Sequence, residues 1–322
     1  MPRLLIHFSR YGPYHHARLG SAVAAMEPLG WEVIGLETAG TDSTYAWNTV
    51  GGTTGGRRIV TVFPERIFEK IADAEMRSGV SDLLDKLHPD AIAIAGWGGV
   101  DARACLGWCR RAGAKAIVMS ETREADGHRA WWKEWLKSRI IRKFDAALVG
   151  GKSHRDYLVK LGIPEHRVTY GYNVVDNAYF AGEKEKWLSA THLPTANCQL
   201  PTVYFPGFRQ IDELPKFYAH AGCFVHPALE EPWGLVINEA MACGLPVLSG
   251  TNVGAAEELV EDGVNGWTFD ATSVDAMCEA MSRLASLSAE ELHRMGEAAK
   301  RVLDAKASTK AFGEGLRRLL VG

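Results

Sequence analysis

The stretch Cys223–Gly250, CFVHPALEEPWGLVINEAMACGLPVLSG, constrains the fold more than any other part of the chain. It reads as a strand (Cys223–His226), a loop (Pro227–Gly234), a helix (Leu235–Cys243) and a second strand (Pro246–Ser249). The helix is apolar almost all round, with Leu235, Val236 and Ile237 followed by Ala240, Met241, Ala242 and Cys243. A helix with no polar face has to be buried. Gly244 stands where a C-cap glycine belongs, and Pro246 follows it. Yet the helix carries Glu239, and the loop before it carries Glu230 and Glu231. A buried carboxylate is costly without a partner. On the helix alone two partners stay open: a ligand, or a backbone donor within the fold.

The same strand–loop–helix–strand unit opens the chain. Arg3–Phe8 is expected to be a strand, Ser9–His16 (SRYGPYHH) a loop, Ala17–Leu29 a helix closed by Gly30, and Trp31–Leu36 the next strand. That is the first unit of a doubly wound α/β domain, which binds ligands at the carboxyl ends of its strands. His15 and His16 are the polar groups of that loop, although a histidine there is as often structural. Glu37–Gly56 is irregular and glycine-rich, with no GK[ST] to make it a phosphate cradle. Arg57–Phe63, Asp90–Ala95, Lys115–Met119, Asp145–Val149 and Arg167–Tyr170 read as further strands. Between them come helices at Glu65–Leu87, broken near Gly79, at Asp101–Ala112 and at Ser153–Leu161. Gly96-Trp97 and Ser120-Glu121 close strands at the same ligand edge.

Gly127–Phe144 (GHRAWWKEWLKSRIIRKF) is a basic, tryptophan-bearing helix. Such a helix suits an anionic membrane surface; the alternative is an apolar side packed on the sheet with a solvated basic side. Beyond Tyr179-Phe180 the composition shifts, and Ala181–Pro201 shows weak periodicity and no clear strand. Val203–Phe205 is a strand, Ile211–His220 a short helix, Gly263–Phe269 a hairpin turn, and Ser273–Ala285 and Ser288–Leu320 are helical.

At 322 residues the chain has room for two domains. A net charge of −3 gives no reason to expect a nucleic-acid partner. The six cysteines show no CxxC pair and no zinc-like spacing, as in a reduced cytosolic protein. No window is long enough to span a bilayer, and the N-terminal apolar run is too short for a signal peptide.

The segment HPALEEPWGLVINEAMACGLPVLSG closely resembles the signature of retaining GT-B glycosyltransferases of family 4 (glycosyl transferases group 1). Its mark is two glutamates separated by seven residues, here Glu231 and Glu239, with Pro232, Trp233 and Gly234 between them and EAMACGLPV following. TNVGAAEELVEDGVNGWTF, Pro206-Gly207-Phe208, SRYGPYHHARL, FDAALVGGKSHRDYL and GYNVVDNAYF extend the likeness over most of the chain. The resemblance implies a GT-B-like α/β fold: two Rossmann-like doubly wound domains facing a cleft. Residues 1–175 would form the acceptor-side domain and 176–322 the nucleotide-sugar-binding domain. The final helix is a candidate to pack back on the first.

The resemblance further implies catalytic roles for Glu231, at the donor sugar, and for His15 in the glycine loop. Donor contacts would come from Glu239 at the ribose, from Trp233, Gly234, Leu235 and Val236 at a helix N-terminus, and from Gly12, Gly207, Phe208 and Arg209. His16, Trp97, Glu121 and His128 are acceptor-side candidates from their place at the ligand edge. With no Asp-x-Asp, neither metal nor other cofactor is implied, so fixed cations or N–H dipoles must neutralise the leaving diphosphate. The chain departs from the family pattern here. No Gly-Arg with a following lysine opens the second domain, and Ala181–Pro201 holds only Lys184 and Lys186. The span is too short for a strand–helix–strand unit, which needs about 30 residues or more. The second domain is therefore expected to be truncated. The expected activity is transfer of a sugar from a nucleotide-sugar donor to a lipid-linked, polysaccharide or other glycan acceptor, in the cytoplasm or on the inner face of the membrane. The alternatives are a non-catalytic binding or scaffold relative of the same fold and, less favoured by the motif, a sugar-nucleotide epimerase.

Overall fold

A computed structural model describes residues 1–43, 58–127, 130–190 and 205–322. In chain order the elements are β1 (Arg3–Phe8), α1 (Pro13–Met26), β2 (Glu32–Thr41), β3 (Ile59–Ile67), α2 (Asp73–Leu87), β4 (Ala91–Ala95), α3 (Val100–Ala112), β5 (Lys115–Ser120), α4 (Trp131–Ile141), β6 (Ala146–Val149), α5 (Lys152–Leu161) and β7 (Val168–Tyr170). They continue with α6 (Asn177–Ala190), α7 (Leu214–Ala219), β8 (Phe224–His226), α8 (Leu235–Ala242), β9 (Val247–Gly250), α9 (Gly254–Leu259), β10 (Gly266–Phe269), α10 (Val274–Ala285), α11 (Ala289–Ala307) and α12 (Ala311–Leu320). The chain forms two compact units. The first comprises Met1–Val175, Glu230–Leu235 and Lys306–Gly322; the second comprises Asp176–Leu229 and Val236–Ala305.

The first unit is a seven-stranded parallel sheet in the order β3-β2-β1-β4-β5-β6-β7. Its strands are apolar on both sides, as a sheet covered on both faces requires. Along β1, Leu5 faces one core with Val80, Leu84, Cys105 and Trp108 of α2 and α3. Leu4 and Ile6 face the other, with Leu19 and Met26 of α1 and Phe312 and Leu316 of α12. The C-terminal helix thus completes the layer begun by α1, and Gly313 N–H donates to Ser21 Oγ at 2.9 Å. The strand order reverses between β1 and β4, so the ligand crevice of such a sheet lies at their carboxyl ends.

The second unit carries, among the described residues, a parallel sheet of three strands, β10-β9-β8. Leu248 of β9 packs with Phe269, Ala280 and Leu284. Helix α8 is buried from Ile237 to Ala242, Asn238 and Glu239 included.

Several boundaries differ from the expectations above. Pro13 starts α1 at its first turn, because proline lacks the N–H that a first helical residue does not need; His15 and His16 therefore lie on the helix, not in a loop. Helix α2 runs unbroken through Gly79, where the Phe63 ring occupies the space of a side chain: a Cβ there would come within 2.4 Å of it. Residues 37–41 extend β2 rather than belonging to an irregular loop. Residues 177–190 form α6 despite their weak periodicity. Gly263–Phe269 is no hairpin: Asn265 closes a turn and β10 runs parallel to β9. The greater part of the glycine-rich stretch, His128, Arg129 and residues 191–204 lie outside the described residues.

Candidate active site

At the carboxyl end of β1 the chain turns into α1 through Ser9–Gly12. Ser9 Oγ–H donates to Asp101 Oδ2 at 2.6 Å, so the turn is tied to the start of α3. Asp101 also accepts from its neighbour Ala102 N–H at 2.8 Å, from Thr38 Oγ1 at 3.3 Å, and lies 3.4 Å from His7 Nε2. Burial alone would raise the Asp101 carboxyl; the hydrogen bond and charge of His7, with Ser9 and Ala102, outweigh it and hold the carboxyl well below the ordinary range.

His15 is fixed by the same turn. Gly12 N–H donates to His15 Nδ1 at 2.9 Å, and the ring stacks on Phe8 with centroids 3.9 Å apart. A backbone N–H can only donate, so Nδ1 is the acceptor and the neutral ring carries its proton on Nε2. Burial, then the charge of Arg18, keeps the His15 pKa well below its ordinary value. His15 is therefore a neutral hydrogen-bond donor through Nε2, not a base. His16, the neighbouring candidate, is buried edge-on to Tyr11.

The loop that carries Glu231 belongs to the first unit. Three contacts hold it. Arg123, 3% exposed and paired with Asp126, donates from Nη2 to the Glu231 carbonyl at 3.0 Å. His154 repeats the His15 arrangement: Gly151 N–H donates to Nδ1 at 3.1 Å, so Nε2–H donates to the Pro232 carbonyl at 3.0 Å. Trp233, 2% exposed, lies against Gly150, where a Cβ would come within 2.8 Å of the indole. Glycine is the residue that allows this approach. Gly234, with φ 95°, then turns the chain into α8. Sequence reasoning misses Arg123 and His154. The available signal is the GGKSH turn, which repeats the glycine-to-histidine spacing of Gly12 and His15.

Glu121 stands at the carboxyl end of β5. The residue keeps exposed surface, while the protein around it desolvates the carboxyl in part. That burial pushes its pKa up; Arg18 and the Asn173 amide pull it back, and the charges of Glu231 and Asp126 add to the rise. Arg18, Asn173 and Glu231 are thus each within electrostatic reach of Glu121 in the first unit. Trp97 instead packs on the sheet core. His128 lies outside the described residues.

In the second unit Glu239 is fully buried, and Tyr218 O–H donates to its Oε2 at 2.8 Å. The carboxylate left open by the sequence therefore has a side-chain donor, where a ligand or a backbone N–H was expected. Gly207 adopts φ 72° and Phe208 is 57% exposed. Arg209 is committed within its own turn, to Glu213 at 3.1 Å and to the Pro206 carbonyl at 2.8 Å. Lys184 donates to the Cys243 carbonyl at 2.6 Å, at the end of α8, and Lys186 pairs with Glu183. Among the described residues no group of three His, Cys, Asp or Glu side chains is arranged to hold a metal ion.

Residues 177–302 match the family model described as Glycosyl transferases group 1. A 62-residue stretch is 47% identical to sucrose synthase from Thermosynechococcus vestitus, covering 19% of this chain; the match spans only 8% of that enzyme's length. Among solved structures, sucrose-phosphate synthase from Thermosynechococcus elongatus superposes with TM-score 0.71 at 15% identity, over 99% of this chain and 98% of that one. The Anabaena protein HepE, in complex with UDP and glucose, superposes with TM-score 0.70 at 14% identity, over the whole of both chains. The chain has the GT-B fold of these glycosyltransferase structures, and its residues 177–302 are similar to the Glycosyl transferases group 1 family.

Proposed function

We propose that the protein is a retaining, metal-independent glycosyltransferase of family 4 that moves a sugar from a nucleotide-sugar donor to a lipid-linked, polysaccharide or other glycan acceptor. The observation that carries this reading is the anchoring of the Glu231 loop by Arg123, His154 and Trp233. Catalysis by a loop needs its groups held in place before the substrate arrives. Here two backbone carbonyls and the following indole are fixed, which leaves the Glu231 carboxylate to face the donor sugar and offset positive charge developing at the reacting carbon. His15, held neutral, donates through Nε2; Glu239 with Tyr218 supports the donor from α8. UDP-glucose is the first donor to test, because HepE is described with UDP and glucose. The protein should release UDP from a matching donor in the presence of acceptor glycans, and the product should keep the donor's anomeric configuration. Glu231→Ala should abolish transfer. Full activity of that variant, or an inverted product, sinks the reading.

A second reading is a folded relative that binds without transferring. Its support is that Arg209 and Lys184 are engaged with their own neighbours, and that the first strand–helix–strand part of the nucleotide-binding domain is absent from the sequence pattern. Calorimetry with UDP, GDP and their sugars separates the two, since binding without release of nucleotide favours the second.

The first reading includes attachment to an anionic membrane surface through residues 129–144. No helix among the described residues is long and apolar enough to cross a membrane. On α4, however, Trp131, Trp132 and Trp135 are 81%, 49% and 54% exposed, while Ile141 is the buried residue of the helix. Lys133 and Arg139 lie over the Trp132 and Trp135 rings at 5.4 and 4.8 Å. Exposed indoles beside cations match an interfacial helix better than a packing face. Charge reversal at Lys133, Lys137, Arg142 and Lys143 should release the protein from vesicles containing anionic lipid.

A further inference from the structure

Helix α1 carries a buried cation besides its two histidines. Arg18 is 3% exposed, and its Nε is buried without a hydrogen-bond partner among the described residues. Its guanidinium lies 4.6 Å above the ring of Tyr172, which fixes its plane and offers no acceptor. Arginine stays protonated when buried, so an unmet donor there is costly. His15 lies three residues earlier on the same helix face, with its only ring proton on Nε2. Arg18 and His15 therefore lie three residues apart on α1 and within electrostatic reach of one another, and Arg18 is also within electrostatic reach of Glu121.

We propose that Arg18, assisted by His15 Nε2–H, is a phosphate-binding subsite of the first unit. The ligand chemistry that fits is a phosphate oxyanion, because a guanidinium fork matches two phosphate oxygens and a neutral imidazole N–H adds a third bond. Glu121 is the carboxyl within electrostatic reach of Arg18; desolvation raises its pKa and the Arg18 charge lowers it. The phosphate belongs either to the leaving nucleoside diphosphate or to a phosphorylated acceptor. Only that choice of source rests on the glycosyltransferase reading; binding of phosphate by Arg18 does not.

The test titrates the full chain with inorganic phosphate, UDP, uridine and glycerol 3-phosphate at constant ionic strength, following melting temperature and heat. Phosphate should raise the melting temperature of the wild type above a chloride control; no rise overturns the proposal without recourse to any variant. Arg18→Gln should weaken phosphate binding about 10- to 150-fold, the range for one hydrogen bond to a charged group, and leave uridine unaffected. Arg18→Lys, which keeps the charge and loses the fork, should fall between. Weakening of UDP alone identifies the donor as the source, and weakening of glycerol 3-phosphate alone identifies the acceptor. Unchanged affinity of both in a folded Arg18→Gln or Arg18→Lys variant overturns the subsite. If the wild type turns over a nucleotide sugar and Arg18→Gln does so equally, the subsite fails while the glycosyltransferase reading stands. If phosphate binding depends on Arg18 but no donor is turned over, the subsite stands and that reading fails.

Discussion

Replacing Asp101 by asparagine tests whether the buried cluster at the carboxyl end of β1 holds the first unit together. The carboxylate has two short bonds, from Ser9 Oγ at 2.6 Å and Ala102 N–H at 2.8 Å, and two longer partners in Thr38 and His7. A hydrogen bond to a charged group contributes about 1.5–3 kcal/mol and a neutral one about 0.5–1.5. Losing the charge at the two short bonds therefore costs about 2–3 kcal/mol, a large share of the roughly 5–15 kcal/mol that stabilises a domain. The pH dependence has a definite sign. The folded carboxyl sits below its ordinary value of 3.8, so its contribution is complete above that pH in the wild type and is lost as acid protonates the folded state. Urea unfolding followed at steps from pH 7 down to pH 3 should show wild-type stability falling more steeply below pH 4 than that of Asp101→Asn. Parallel curves, or an Asp101→Asn variant as stable as wild type at pH 7, would show that the carboxylate is not what binds Ser9 to α3.

Arg123→Ala or His154→Ala should free the Glu231 loop, and hydrogen exchange at 230–235 should accelerate while β4 and β5 stay protected; unchanged exchange refutes the anchoring. In the second unit, Tyr218→Phe removes a donor to a fully buried carboxylate and should cost about 1.5–3 kcal/mol in urea unfolding. A variant of wild-type stability would mean that Glu239 draws its support elsewhere.

Much of the architecture is legible because parallel strands announce themselves as short apolar runs between helices. The strands expected from Asp90 to Val149 fall within a residue or so of β4, β5 and β6. What escapes is governed by contacts distant in sequence. Gly79 reads as a helix breaker, and only the Phe63 ring explains why it is not. Gly266–Phe269 reads as a turn, since four residues carry no period until β9 lies beside them. The candidate site divides in the same way. Glu231, Glu239 and His15 stand out through motif and position. Arg18, Arg123 and His154 do not, because a buried cation and a histidine bonded to a backbone carbonyl look in sequence like any other arginine or histidine. Tyr218 as the partner of Glu239 is equally hidden, at a separation of 21 residues.

The backbone passes from one unit to the other four times, after residues 175, 229, 235 and 305. No single cut of the chain can therefore separate the units as intact bodies. A fragment limited to residues 177–302 would carry Glu230–Leu235 away from Arg123 and His154, and would leave the first sheet without α12. Exchange of the second unit between relatives, by recombination or by design, must then transfer the 230–235 loop together with its receiving residues around Arg123 and Gly150, or accept a loop that meets a foreign surface.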